Sequence, residues 1–505
     1  MLRFYVRCKV ILLRPNLLKE CFDVKSLTTS FFLLLCLVPV FAAASESKNV
    51  LIIFMDDLRP ELGCYGHPVI SSPNIDALAA DGVLFERAYC QQGICAPSRA
   101  SMMAGQYPDT LGIYDLWSPL RRTVPDAMSM PRYFTQRGFE TSSFGKVYHH
   151  HIDDKPYWSH LPAVPGEKYA APQTLAKIAR QKRLAQAKGL KGVDLFLSTQ
   201  GPPIENADVP DDTYPDGAVA NQAIETLRQK RDKPFFMCVG FAKPHLPFAA
   251  PKRYWDLYKR EQFAVPRRKL PTDAPVIAFT NWGELRAYAG IPSEGPLSDD
   301  QTQQLMHGYA ACVSYADAQV GKVIAELDRL GLRDNTIVVL WGDHGYKLGD
   351  YGLWCKHTNL ELDTRVPLIV SAPGFAKGVR TKALVEIVDL FPTLAKLTGG
   401  EPPPQCDGNS FVRILEKPAA TFREFAISQY PRGSVMGYSI RTERWRYTEW
   451  IDAKTRRVVD RELYDHQTTQ RPSHNLADNA EHQELIADLS QYVDATNRIK
   501  NAQLK

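Results

Sequence analysis

Residues 50–57 read VLIIFMDD, an uninterrupted apolar run that ends abruptly at the acidic pair Asp56-Asp57. An apolar run of this length, without polar alternation, is typical of a strand buried on both faces in a parallel sheet covered by helices. The pattern returns three times, always with chemically capable side chains soon after the strand. These further strands are Thr141–Phe144 before Lys146 and His149, Phe235–Phe241 before Lys243 and His245, and Thr336–Trp341 before Asp343 and His344.

Helical segments separate these predicted strands, among them Ile75–Asp81, Asp216–Lys230 and Ala316–Leu330. Alternation of strand and helix predicts an open α/β sheet, and the ligand sites of such sheets lie at the carboxyl ends of their strands. Each polar cluster taken alone could be an ordinary loop, but four in the same position favour one shared site. We therefore predict an α/β domain with a large, mostly parallel mixed sheet.

The chain changes character after Gly399, where the Pro-rich stretch EPPP precedes short strand-like segments linked by turns. These segments predict a small antiparallel sheet. They are Phe425–Tyr430, Tyr438–Arg441, Trp445–Trp450 and Glu462–Tyr464. We predict three parts: a leader and signal peptide over residues 1–45, a catalytic domain over 46–415 and a C-terminal subdomain over 416–505.

The apolar segment Ser30–Phe41, followed by Ala42-Ala43-Ala44, has the length and small-residue exit of a secretory signal and is too short to span a membrane comfortably. A buried helix is the alternative. Most of the formal charge of +5 lies before Leu27, so the rest of the chain carries only +1. We expect an exported protein, periplasmic or secreted, without a membrane span after signal cleavage. Nucleic acid is not an expected partner, because no basic field covers the whole molecule.

Ten cysteines are present, and three of them, Cys8, Cys21 and Cys36, belong to the leader. The other seven show no C-x-x-C pairing, which argues against a zinc framework or a disulfide scaffold, although one or two bridges can form after export. Cys95 is the candidate for a role other than zinc ligation or disulfide bonding. It begins the segment CAPSR, in which Pro97 suits the first turn of a helix.

Cys95 would then lie just before a helix N-terminus, where free amides attract an anion. Arg99 adds a forked cation that suits a tetrahedral oxyanion. A small buried cysteine is the alternative interpretation.

The segment Cys95–Arg99 resembles the sulfatase signature C-x-P-S-R. Further blocks follow the order of the iduronate-2-sulfatase branch of that family: NVLIIFMDDLRPELGCYG, SPNIDALA, CAPSRASMMAGQYPDT, GKVYH, KPHLPF, GDHGYKLGDYGLWCKHT and, near the C-terminal end, ELYD. The similarity runs from residue 48 to about 480 and is interrupted at Lys155–Asp212. It implies an alkaline-phosphatase-like sandwich, one calcium ion, and oxidation of Cys95 to formylglycine by a formylglycine-generating maturation enzyme.

The resemblance also implies the site residues. The implied metal ligands are Asp56, Asp57, Cys95 in its oxidised form, Asp343 and His344. Carboxylate oxygens are what a hard cation prefers, whereas nitrogen suits calcium poorly, so direct ligation by His344 stays open. The implied catalytic residues are Cys95, Arg99, Lys146, His149, His245 and Lys356.

In the implied reaction, the hydrate of formylglycine at position 95 attacks sulfur while Arg99, Lys146, His245 and Lys356 surround the sulfate. His245 or Lys356 protonates the leaving sugar oxygen. His149 is the base that expels sulfate from residue 95 and restores the aldehyde. His150 and His151 follow directly and are expected at the surface.

The expected function is hydrolysis of sulfate esters on a sulfated oligosaccharide or polysaccharide, with iduronate 2-sulfate or a related uronate or hexose sulfate as the reacting group. One alternative is a phosphoester or phosphonate monoester hydrolase of the same superfamily, many of which use threonine and two zinc ions. This chain lacks the extra Asp and His residues for a second zinc. The other alternative is a catalytically silent glycan-binding protein in which Cys95 is never oxidised.

The stretch Thr174–Lys191 contains six Lys or Arg residues and no acid. Either it is a solvated helical insertion or it forms a rim that attracts an anionic polymer.

Overall fold

The computed structural model describes residues 48–149, 154–229 and 232–496. The predicted leader with its three cysteines, and the pair His150 and His151, lie outside these residues. In the described part of the chain, no helix is both long and apolar enough to cross a lipid bilayer. All seven cysteines there are free thiols, so neither of the bridges that the sequence allowed is formed.

The described part of the chain forms fifteen strands and fifteen α-helices. The strands are β1 (Asn49–Asp56), β2 (Val83–Tyr89), β3 (Glu140–Gly145), β4 (Ile204–Glu205), β5 (Phe235–Pro244), β6 (Phe248–Ala249), β7 (Thr336–Gly342), β8 (Lys347–Leu348), β9 (Trp354–Cys355), β10 (Arg365–Ser371), β11 (Val379–Glu386), β12 (Ala426–Arg432), β13 (Val435–Arg441), β14 (Trp445–Asp452) and β15 (Val458–Asp465). The helices are α1 (Pro73–Ala80), α2 (Cys95–Ala104), α3 (Pro108–Leu111), α4 (Leu120–Thr123), α5 (Met130–Gln136), α6 (Pro172–Ala187), α7 (Gly192–Ser198), α8 (Pro215–Leu227), α9 (Lys252–Trp255), α10 (Gly283–Arg286), α11 (Asp299–Arg329), α12 (Glu361–Thr364), α13 (Leu390–Leu397), α14 (Val412–Glu416) and α15 (Gln483–Thr496).

Seven strands form one large sheet in the order β11-β2-β10-β7-β1-β5-β3. Neighbouring strands pair in parallel, except that β10 runs antiparallel to both β2 and β7. The four strands predicted from apolar runs are β1, β3, β5 and β7, which lie side by side. The predicted mixed, mostly parallel sheet is confirmed.

The central strand β1 is buried along its whole length, because helices cover both faces of the sheet. Its side chains alternate between the faces, as strand geometry requires. Leu51, Ile53 and Met55 pack into a core with α1, α8 and α11 on one face of the sheet. Val50, Ile52 and Phe54 pack with α2, α5 and α13 on the other face. The sheet thus holds its carboxyl edge rigidly between two apolar layers.

The four strands β12–β15 form the predicted C-terminal antiparallel sheet, in chain order. Helix α15 packs its apolar side chains against this sheet, with Ile440, Tyr447 and Val493 among the buried residues. The domain boundary near residue 415 stays a prediction.

Two predicted helix extents were wrong. The helix expected at Ala316–Leu330 is only the second half of α11, which begins at a Ser298 cap whose hydroxyl accepts from the Gln301 N–H. The first half of α11 buries small and polar residues, including Gly308 and Ser314, and these disguise its apolar period. The basic stretch predicted at Thr174–Lys191 is α6, which ends at Ala187.

Candidate active site

The carboxyl ends of four adjacent strands bring the predicted polar clusters together. In the order β7-β1-β5-β3, these ends carry Asp343, Asp56, His245 and Lys146. Asp57 directly follows β1 with a positive φ of 62°. Strained backbone of this kind persists where surrounding contacts hold it, often at functional sites. The expectation that the clusters share one edge of the sheet is therefore confirmed.

Cys95 is the first residue of α2, so this helix begins one residue earlier than the sequence predicted, and Cys95 is almost fully buried. Its Sγ lies 3.3 Å from Asp56 Oδ1 and 3.2 Å from His344 Nε2. Burial, reinforced by the charge of Asp56, raises the pKa of the Cys95 thiol well above its ordinary value. As a neutral thiol, Cys95 is a poor nucleophile.

A potential metal-binding group surrounds Cys95. Ligand atoms of Asp56, Cys95, Asp343 and His344 all lie within 4.8 Å of one another. Asp57 adjoins this group, since its N–H donates to Asp343 Oδ1 at 3.1 Å. Several carboxylates converging on one point repel one another unless a cation lies between them, so the donor set fits a hard divalent ion.

The histidine of this group presents a defined nitrogen. His344 Nδ1 lies 2.9 Å from the carbonyl oxygen of Gly345, which can only accept a hydrogen bond. Nδ1 therefore carries the proton, and in neutral His344 the Nε2 lone pair faces Cys95 and the carboxylates. This orientation is compatible with metal ligation and with hydrogen bonding alike.

Each carboxylate of the group is paired with a basic side chain. Arg99 Nε donates to Asp343 Oδ2 at 2.9 Å, Lys146 Nζ donates to Asp56 Oδ2, and Lys356 Nζ donates to Asp57 Oδ1 at 3.0 Å. Burial alone lowers the pKa of Lys356, but Asp57 and Glu284 outweigh it and raise that pKa well above its ordinary value. These basic groups line the pocket with fixed positive charge, which suits an oxyanion.

The loop after β3 carries both Lys146 and His149, and His149 is buried. Gly145 begins this loop with a φ of +69°, and a Cβ at this position would lie 2.1 Å from the carbonyl oxygen of Gly240. Only glycine permits β3 and β5 to approach so closely before the loop turns. Glycine here fixes where Lys146 enters the site.

Glu284 is the site residue that the sequence analysis missed. It lies on the short helix α10, and its Oε2 is 2.8 Å from Lys356 Nζ while its Oε1 is 3.0 Å from His245 Nε2. Burial alone raises the pKa of Glu284, but Lys356 and His245 lower it well below its ordinary value. No motif surrounds Glu284 in the sequence. The one signal that the sequence offers is an acidic residue two positions after a tryptophan, in the segment TNWGEL at residues 280–285.

The basic helix α6 lies outside this pocket. Its Lys177, Arg180 and Arg183 are exposed and, at a spacing of three residues, follow one another along the helix surface. Within the described part of the chain, none of the three has an ion pair. The two interpretations of this surface both remain open.

The sequence of this chain is similar to those of known sulfatases. The sulfatase family profile matches residues 48–400, and the profile of the N-sulphoglucosamine sulphohydrolase C-terminal region matches residues 349–498. The iduronate 2-sulfatase of Mus musculus is 35% identical to this chain in an alignment that covers 88% of this chain and 94% of the relative.

Solved structures share the fold at lower identity. The phosphonate monoester hydrolase of Agrobacterium radiobacter has a TM-score of 0.72 at 21% identity, covering 89% of this chain and 95% of that one. A protein in complex with its substrate D-glucosamine-2-N,6-O-disulfate has a TM-score of 0.70 at 22% identity, covering 90% and 99%. These likenesses support the alkaline-phosphatase-like fold and, at such identities, nothing finer.

Proposed function

Because this chain belongs to the sulfatase family and is a sulfuric ester hydrolase, we propose that its substrate is a sulfated glycan that carries iduronate 2-sulfate or a related uronate or hexose sulfate. The similarity to iduronate 2-sulfatase over most of both chains supports this substrate class. The convergence of Cys95 with acidic and basic side chains at one pocket carries the proposal of its chemistry.

The nucleophile is residue 95 after oxidation of its CH₂–SH group to an aldehyde by a formylglycine-generating maturation enzyme. In support, the unmodified Cys95 thiol is buried, neutral and beside a carboxylate, all of which disfavour a thiolate nucleophile. The aldehyde hydrate supplies the oxygen that attacks sulfur. Exported location, periplasmic or secreted, is part of the same proposal.

Calcium is the proposed metal, held by Asp56, Asp57, Asp343 and oxidised residue 95, with His344 adjoining. The carboxylate-rich donor set supports a hard cation, and the ion would make the attacking oxygen a better nucleophile and draw charge from the sulfate oxygens. With the carboxylates directed to the ion, the basic side chains that pair with them would be available to the substrate. Arg99 and Lys146 then hold sulfate oxygens while charge develops on them.

Two histidines handle protons in the proposed cycle. His245 Nδ1 lies 2.6 Å from the Leu246 carbonyl oxygen, and its Nε2 faces Glu284, so both nitrogens meet acceptors. A doubly protonated ring satisfies both contacts, and His245 or Lys356 would deliver a proton to the leaving sugar oxygen. His149 would accept a proton when sulfate is expelled.

The test is sulfate release from a panel of defined sulfated disaccharides by the purified mature enzyme. We expect release from the 2-O-sulfated uronate disaccharide and none from the Cys95→Ala variant. Mass spectrometry of the peptide that contains Cys95 should show the aldehyde. Release from aryl sulfates alone would contradict the glycan substrate, and an unoxidised thiol in active enzyme would contradict the nucleophile.

A further inference from the structure

Glu284 joins the two candidate proton donors of the pocket. Its carboxylate contacts Lys356 through Oε2 and His245 through Oε1, at 2.8 and 3.0 Å. His357 Nε2 lies 3.7 Å from Oε2 as well. One carboxylate therefore contacts three basic side chains from two segments, the one directly after β5 and the one directly after β9.

A carboxylate is an unexpected group in a pocket for an anionic sulfate ester, because like charges repel in a desolvated site. Glu284 does not belong to the group of converging donor atoms around Cys95. Its side chain is 24% exposed, and its two carboxylate oxygens hold Lys356 and His245. The pairing with two basic groups offsets its charge and leaves them in a fixed geometry.

The backbone is strained close to both Glu284 and Lys356. Trp282, two residues before Glu284, has a φ of +46°, and Cys355 and His357, on either side of Lys356, have φ values of +61° and +80°. Left-handed conformations of bulky residues are unfavourable and persist where other contacts hold them. Here Glu284 links the two strained segments directly.

The link extends to the C-terminal sheet. His357 Nδ1 lies 2.7 Å from the Tyr430 hydroxyl on β12. Burial lowers the pKa of His357, so the neutral ring connects Tyr430 on one side with Glu284 on the other. The C-terminal sheet thereby contributes to the arrangement of the pocket.

We propose that Glu284 is a positioning residue that holds Lys356 and His245 at the leaving-group side of the sulfate. The inference rests on the proposed function. When the S–O bond breaks, its electron pair passes to the leaving oxygen, and a proton from Lys356 Nζ or His245 Nε2 converts that oxygen to a hydroxyl. Glu284 keeps its charge throughout and neither gives nor takes a proton.

The experiment measures kcat/KM for a series of substituted phenyl sulfates whose leaving phenols range from 4-nitrophenol to 4-methoxyphenol. A good leaving group needs no proton, whereas a poor one does. We expect Glu284→Gln to lower kcat/KM for the poorest leaving group by about 100-fold and to change 4-nitrophenyl sulfate little, so that the dependence on phenol pKa becomes steeper. Glu284→Asp, which keeps the charge, should give an intermediate slope.

Glu61→Gln is the matched control, because Glu61 is similarly buried, pairs with Arg59 and has no contact with Lys356. Its slope should equal that of the unmodified enzyme. An equal loss on every ester in Glu284→Gln, or no change in slope, overturns the inference. If Glu284→Gln fails to fold, Glu284→Asp decides by the same slope. The phenyl series is independent of the sugar, so a failed disaccharide panel overturns the proposed substrate alone.

Discussion

Arg99 is the most constrained side chain of the site. Besides its bond to Asp343, its guanidinium donates to the carbonyl oxygens of Lys146 and Val147 and lies 3.5 Å from Asp56. It thus ties α2 to the ends of β1, β3 and β7. A lysine has the same charge but cannot reach these groups at once, because its three donors share one nitrogen.

We expect Arg99→Lys to lower kcat on 4-nitrophenyl sulfate by about 100-fold, since one preorganised donor to the developing charge is lost. Arg87→Lys, at a partly exposed residue that pairs with Glu443, serves as the control and should leave kcat unchanged. Residue 95 must be shown by mass spectrometry to be equally oxidised in both variants. A kcat within a few-fold of the unmodified enzyme would contradict the role of Arg99.

Asp350 gives a pH-dependent prediction away from the site. Burial alone raises its pKa, but Arg59 and Arg471 outweigh burial and lower the pKa to about 2. Because the folded pKa is lowered, the stabilisation by ionised Asp350 is complete above the unfolded pKa and is lost as the pH falls toward about 2.

Asp350→Asn breaks the buried pair with Arg59, so we expect a loss of about 3 kcal/mol at neutral pH. The measurement is the melting temperature of variant and parent between pH 7 and pH 3. The difference should stay constant above about pH 5 and shrink below about pH 4. A difference that grows toward acid would show that the sign is wrong.

Residues directly after apolar strands could be predicted from the sequence, and Glu284 could not. Asp56, Asp343 and His245 follow continuous apolar runs, which identify them without any alignment. Glu284 follows a short irregular segment, and it meets Lys356 and His245 only through the tertiary fold. Chemistry that depends on such long-range contacts leaves no local pattern.

At the scale of elements, four strands of the large sheet were predicted, and the other three strands of that sheet, β2, β10 and β11, were missed. Strand β2 contains Glu86 and Arg87, which break its apolar run where the sheet is less completely covered. Strand β11 lies at the edge of the sheet and exposes Arg380 and Lys382. Edge strands keep polar side chains toward water and so resemble loops in sequence.

The helix α6 supports a prediction at the same scale. If it binds an anionic polymer, Lys177→Gln/Arg180→Gln/Arg183→Gln should release the protein from immobilised heparin at lower salt, because fewer counterions are displaced on binding. Hydrolysis of 4-nitrophenyl sulfate should not change. The control removes three exposed lysines elsewhere, in Lys382→Gln/Lys396→Gln/Lys417→Gln. Identical elution of both triple variants would favour a solvated insertion.

At the scale of the whole molecule, buried charges join the C-terminal sheet to the large sheet. Glu361 accepts from Arg441 and Arg446, each at 2.8 Å, and from the Tyr89 hydroxyl at 3.0 Å. The sequence predicted a separate C-terminal subdomain but not this connection, because both arginines belong to ordinary strands, β13 and β14. Buried ion pairs fix a relative orientation more strictly than apolar packing does, since their geometry must satisfy every donor. The segment with Lys356 lies between the two sheets.

Metal binding should therefore stabilise the whole fold and not the pocket alone. Removal of the proposed ion would leave Asp56 and Asp343 close together in a buried site, where burial and the charge of Asp56 raise the pKa of Asp343. Ligand binding to the folded state adds RT ln(1 + [L]/Kd), about 2.7 kcal/mol at a free calcium concentration of 100 times Kd. We expect a chelator to lower the melting temperature and calcium to restore it in a concentration-dependent way.

The matched variant for this prediction is Asp343→Asn, which keeps the shape of the side chain but removes one charge from the donor set. Its melting temperature should respond much less to calcium, because a neutral amide is a weaker ligand for a hard cation than a carboxylate. Burial and repulsion by Asp56 raise the pKa of Asp343 even though Arg99 pairs with it, so the ionised carboxylate is unfavourable on balance without the ion. The neutral amide should therefore leave the chelated variant no less stable than the chelated parent. If Asp343 is a metal ligand, the variant loses stability relative to the parent in calcium but not in chelator. If Asp343 has only a structural role, the variant should be less stable than the parent in both conditions. An equal response of both proteins to calcium would place the ion elsewhere.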